Sequence, residues 1–198
     1  MSDASSPAPN ALMQQAYEQL QEGRIEEAVE IFSAALAVDP REAKALRGRG
    51  LAYTQLKRWS LAASDFDAAR TLAPEETDNW VDLGKSLAMQ DQAYPALKVF
   101  ETLLTQHPEC VRGHIELGLL QLRLGAIPKA RQHLQDALAC SPPLQVRREI
   151  EAILREQDKL DCKRYYRPDF EALHQHEEQR AAGVAAKVRS WWMRWRKS

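Results

Sequence analysis

Side chains able to do acid–base, nucleophilic or metal chemistry are few in this chain, and they are scattered. Five histidines stand at positions 107, 114, 133, 174 and 176. His174 and His176 are two residues apart on a stretch with helical character, so their rings point to different sides and a shared metal ion is disfavoured. The acid pairs Glu26-Glu27, Glu75-Glu76 and Glu177-Glu178 do not converge on a cleft by spacing alone, and solvated faces explain them. Cys110, Cys140 and Cys162 contain no C-x-x-C pair. An odd, scattered count opposes a disulfide framework or zinc site and suggests a reducing compartment, with Cys110 and Cys140 read as buried small hydrophobes. No G-x-x-x-x-G-K, G-x-G-x-x-G or G-x-S-x-G is present. The expectation is a non-catalytic protein with no catalytic residues, no cofactor and no metal.

The elements that hold these residues follow from composition. Of 198 residues, 44% are apolar and 28% charged, with a formal net charge of -1, which excludes wholesale disorder and a generic polyanion binder. Ala and Leu supply 53 residues against 14 for Val and Ile, a balance that favours helix over strand. No apolar run approaches the roughly 18 residues of a membrane span. Residues 1–8 read as a disordered N-terminus, and the Ser/Ala/Pro-rich start lacks the basic and apolar regions of a secretory signal. Cytoplasmic residence is expected, with peripheral membrane attachment through the tail as the alternative.

A period of 34 residues organises the chain. Ala28, Ala62, Ala96 and Ala130 keep it, as do Pro40, Pro74, Pro108 and Pro142. So do Ala16, Gly50, Gly84 and Gly118; Phe32, Phe66, Phe100 and Leu134; and Ala35, Ala69, Leu103 and Ala137. The small residues at 16, 50, 84 and 118 mark where a second helix crosses a first one closely, with the alanines facing back across the crossing. The phenylalanines fill space between neighbouring helix pairs, and each proline ends its unit. Gly23, Lys57, Asp91 and Gly125 share the turn between the two helices, and Pro95 and Pro128 sit at second-helix starts.

These residues resemble the tetratricopeptide repeat family. The second copy matches most fully, through Gly50, Tyr53, Trp59, Ala62, Phe66, Ala69 and Pro74. The third carries the first-helix aromatic as Trp80, whereas the fourth departs, with His114 in that place and Leu134 for the second-helix Phe. His114 therefore reads as a packed imidazole. Repeats are placed at 9–42, 43–76, 77–110 and 111–143. The resemblance implies an all-α right-handed superhelix of helical hairpins, an α-solenoid, whose concave groove is lined by first helices. It also implies a scaffold or adaptor that binds a peptide or helix. A regulatory subunit of an enzyme complex is a further alternative. Residues 144–162 are expected to cap the array, with Val146, Ile150, Ile153, Leu154 and Leu160 on the apolar face.

Family groove positions fall on Tyr17, Arg47, Leu51, Asp78, Asp82, Lys85, Arg112, Ile115 and Arg123. Mixed signs and apolar patches suit a protein segment rather than a polyanion. Some family members clamp the acidic tails of heat-shock chaperones, but acids stand here where carboxylate-binding residues are needed, so such tails are not expected partners. Charge reversal at Arg47, Lys85 and Arg112 is expected to weaken a groove partner while leaving the fold intact.

Residues 163–198 change in character to a basic, Trp-rich helical tail. Residues 180–198 carry six Lys or Arg and no acid, together with three of the five tryptophans. The interaction candidates there are Lys187, Arg189, Trp191, Trp192, Arg194, Trp195 and Arg196. Packing of the Trp face on the repeats or on a partner, attachment to an anionic membrane surface, and stacking on single-stranded nucleic acid compete, with nucleic acid the least favoured. On an anionic bilayer each basic residue is worth about 1 kcal/mol. The anchor reading expects salt-sensitive sedimentation with anionic vesicles, abolished when Trp191, Trp192 and Trp195 become alanine. A protein that stays in the supernatant at low salt has no such anchor. Loss of thermal stability on deleting residues 180–198 identifies intramolecular packing instead.

Overall fold

The phase of small and aromatic residues becomes a series of helix pairs in the structure, a computed structural model that describes residues 9–165. Residues 1–8 and 166–198 lie outside it, and with them the tail candidates Lys187 to Arg196. The described residues form the helices α1 (Pro9–Gln21), α2 (Ile25–Val38), α3 (Ala43–Gln55), α4 (Trp59–Leu72), α5 (Thr77–Met89), α6 (Ala93–Gln106), α7 (Val111–Arg123), α8 (Ile127–Ala139) and α9 (Leu144–Tyr165), with no strand among them. Two compact units divide inside α7, the first ending at Glu116 and the second beginning at Leu117. Among the described residues no helix is long and apolar enough to cross a membrane.

In the first unit each helix packs on the next from α1 to α6. Ala16, Ala28, Ala62 and Ala96 are fully buried, as are Phe32, Phe66 and Phe100 to within 1%. At Gly48, Gly50 and Gly84 the residue that faces the glycine is a phenylalanine ring rather than an alanine. A Cβ added at Gly50 would stand 2.7 Å from Phe66, and one at Gly84 would stand 2.5 Å from Phe100. Phe32 presses on Gly48 of the following copy in the same way, and meets Tyr17 edge-on with ring centroids 5.1 Å apart. The ring thus serves both its own hairpin and the next, the two-sided packing that stacks one repeat on another.

Turns repeat as faithfully as the core. At Lys57 the amide donates to Thr54 O and the next amide, of Arg58, donates to Tyr53 O. This paired closure of a helix C-terminus requires a left-handed residue. Gly23 and Gly125 supply it at φ +81° and +76°, but Lys57 and Asp91 adopt φ +58° with a full side chain. Between hairpins, Asp39, Ala73 and His107 leave the helical region before Pro40, Pro74 and Pro108, with ψ of 97°, 73° and 73°, because the proline ring disfavours a helical predecessor.

The first-helix aromatic position is also periodic in its hydrogen bond. Trp80 Nε1 donates to Pro74 O at 2.9 Å, and His114 Nε2 donates to Pro108 O at 2.9 Å. A carbonyl only accepts, so Nε2 of His114 carries the proton. The imidazole stands in for an indole. Cys110 and Cys140 are half-buried thiols, not the fully buried hydrophobes expected. Each sits beside an exposed residue at the end of a hairpin, Glu109 and Ser141, rather than inside a helix face.

In the second unit Gly118 faces Leu134 and the Ala130 carbonyl, and α8 packs on α9. Ile150 of α9 is fully buried and Gln157 nearly so, while Val146, Ile153, Leu154 and Leu160 are half-buried. Arg131 of α8 pairs with Asp158 of α9. Helix α9 continues to Tyr165, three residues beyond the break placed after Cys162, because the first residue type that opposes a helix is Pro168.

Two sets of variants test these constraints by urea unfolding. Lys57→Gly and Asp91→Gly should each raise stability by about 1 kcal/mol by relieving a left-handed side chain. Gly84→Ala should lower it by about 1–3 kcal/mol, because the Phe100 ring has to move.

Candidate functional site

Successive first helices of the first unit bring their charges together on one face. Asp78 and Asp82 are one turn apart on α5 and share a side of it. Asp78 lies in the first turn, where the helix dipole favours an acid. Arg47 reaches them from α3, its Nη2 donating to Asp78 Oδ2 at 2.9 Å and to Asp82 Oδ2 at 3.2 Å, with Nε also 3.2 Å from Asp82 Oδ2. Arg112 reaches them from the first turn of α7, pairing with Asp78 Oδ1 and lying 3.6 Å from Asp82 Oδ1. Lys85, nearly one turn beyond Asp82, pairs with Glu116 of α7 at 3.5 Å. Three cations and three acids alternate across three helices, and each acid is met by a cation from a neighbouring helix.

Depth sorts the acids. The Asp82 and Glu116 side chains are only 9% and 5% exposed, whereas Asp78 is 41% exposed. Burial pushes the Asp82 carboxyl above its usual range, and Asp78 adds to this, while Arg112, Arg47 and Lys85 pull it down without prevailing. Charge reversal at Arg47, Lys85 or Arg112 should therefore lower stability, where the sequence alone leads one to expect an intact fold. Their partners include carboxylates buried beneath them, and an added acid would face these uncompensated.

The remaining candidates divide. Tyr17 is half-buried with its hydroxyl donating to Lys44 O at 3.1 Å, and burial raises its phenol above the ordinary value with Arg47 opposing. Leu51 is half-buried against a core cluster of Ala62, Ala63, Phe66 and Leu83. Ile115 is 1% exposed, a correction to its placement on the groove: it faces the core, where a branched apolar side chain belongs. Arg123 ends α7 as an exposed residue of the second unit.

Glu116, which shares the clamp register with Asp82 34 residues earlier and with Gly48 68 residues earlier, counts in the sequence against an acidic-tail clamp but is not among the groove candidates, and it belongs to the face. One feature escaped the sequence altogether. Arg49 grips Asp65 with two hydrogen bonds of 2.8 Å and touches Ser33 Oγ at 3.3 Å, so one guanidinium joins α2, α3 and α4. Arg49 and Asp65 keep no counterpart at the 34-residue period, which is why they were silent.

The pH dependence of stability tests the Asp82 site. Folded Asp82 holds its proton more tightly than an unfolded aspartate with a pKa of about 3.9. Its contribution is then fully present below that value and is lost as pH rises through the folded value. Urea unfolding of wild type and Asp82→Asn across the acidic range should show the wild type gaining on the variant as pH falls from neutral.

Comparison with known proteins agrees with this architecture. The family model for the tetratricopeptide repeat matches residues 13–77 and 82–144. A curated relative, the BBSome complex member BBS4 of Bos taurus, is 25% identical over 120 residues, which is 61% of this chain and 23% of that protein. The chain thus spans about a quarter of that relative's length. Among solved structures, MamA superposes with a TM-score of 0.64 at 19% identity, over 70% of this chain and 81% of MamA. The first such repeat domain of Spaghetti (RPAP3), bound to an HSP90 peptide, superposes with a TM-score of 0.55 at 22% identity, over 59% of this chain and 93% of that one. These structural likenesses concern the fold. With a 34-residue period built into helical hairpins and a family match over more than half its length, the chain belongs to the tetratricopeptide repeat family.

Proposed function

We propose that this protein is a non-catalytic scaffold that binds a segment of another protein across the first-helix face of α3, α5 and α7. The observation that carries this reading is the lattice of Arg47, Asp78, Asp82, Arg112, Lys85 and Glu116. It spans successive repeats and holds polar groups in fixed positions before any partner arrives, so little side-chain ordering remains to be done on binding. Family membership supports an interaction role, as does the peptide bound to the Spaghetti domain.

Asp78→Arg places a third guanidinium between Arg47 and Arg112 at the more exposed level of the face. Affinity capture from a lysate should lose partners that the wild type retains. Glu101→Arg, on the exposed side of α6, should leave capture unchanged, and both variants should keep wild-type helicity by circular dichroism. Equal recovery of the same partners by Asp78→Arg would place binding elsewhere.

A further inference from the structure

Two guanidiniums converge on one half-exposed carboxylate: Asp78 takes Arg47 through Oδ2 and Arg112 through Oδ1. Beneath it, Asp82 engages the same two arginines from a buried position. A carboxylate arriving from solvent would have to take the place that Asp78 already fills. We infer that Asp78 is a specificity residue that excludes acidic ligands by occupying the arginine pair from within, so that the face takes a protein segment of low net charge. The inference rests on the binding role proposed for this face and names the chemistry of its partner.

Charge balance gives the reason. Arg47, Arg112 and Lys85 stand against Asp78, Asp82 and Glu116, and every acid is matched by at least one cation within 4.0 Å. An acidic segment meets Asp78 as a like charge and gains an arginine only by breaking an existing pair. A basic segment competes with two arginines already fixed on Asp78. Built-in repulsion of this kind discriminates between partners without any new contact to the favoured one. A neutral segment disturbs none of these pairs, and the outer edge of Asp78 still offers it acceptor positions.

The prediction is a switch in specificity. Asp78→Asn keeps the side-chain shape and removes the more exposed of the two negative charges that Arg47 and Arg112 share. Fluorescence anisotropy with a labelled synthetic poly-glutamate peptide and the full chain should show weak binding by wild type. Asp78→Asn should bind about tenfold more tightly or better at low salt, with the gain lost at high salt. Asp78→Ser should behave alike, so that folding of either variant suffices for the test. Glu101→Gln changes net charge equally on α6 and should give no gain. If folded Asp78→Asn and Asp78→Ser bind the acidic peptide no better than wild type, or if Glu101→Gln gains as much, the inference is overturned. Because the probe is synthetic, this result is independent of whether Asp78→Arg loses its cellular partners, and the two ideas fail separately.

Discussion

Phe66 and Phe100 lie where the adjoining first helix has no side chain at all, and the rest of the first unit is arranged around that fit. An added Cβ at Gly50 or Gly84 would enter the ring's van der Waals envelope. The helices therefore approach to a distance that only glycine permits, and a large flat side chain fills what would otherwise be a void. Alanine 28, 62 or 96 completes the crossing without pushing it apart. Phe32 extends the same device between copies, since it also bears on Gly48. A repeat that cannot bury its own aromatic alone is stabilised by the next one, which is why such arrays require neighbours.

That spacing is also what allows charges on separate repeats to meet. Arg47, Asp78 and Arg112 belong to three successive first helices, and a guanidinium reaches across only because those helices are held side by side. Position 48 shows how the frame and the charges are linked. Its register continues through Asp82 to Glu116, so the site that admits Phe32 in one copy holds a buried acid in the next two. A buried carboxylate is costly unless matched, and the cations at 47, 85 and 112 match it from adjacent repeats. The pairs offset the desolvation of the acids more than they add stability, and their clearer consequence is a fixed polar surface.

Much of this was legible in the sequence because a repeated constraint leaves a repeated residue. The hairpins, the buried alanines, the turn positions at 23, 57, 91 and 125, and the packed role of His114 all follow from phase. Arg47, Asp78, Asp82, Lys85 and Arg112 fall on groove positions that the family resemblance implies, and the structure brings these five together. Ile115 falls on another such position and belongs to the core. Register gives a position along the helix but not the small rotation that decides which neighbour covers it. Arg49 with Asp65, used once rather than once per repeat, left no phase to detect.

What the sequence by itself determined is local and periodic: helix content, hairpin length, the phase of the small and aromatic residues, and the family. Each of these is fixed by short-range geometry, in which one residue type at one phase is the only economical solution. Tertiary structure alone decided the state of the charges. Arginines that read as open contacts are committed to Asp78 and Asp82, and Asp82 lies deep enough for burial to raise its pKa against three cations. Coulombic energy depends on distance and local dielectric rather than on position in the chain. Those two quantities exist only once the helices have packed.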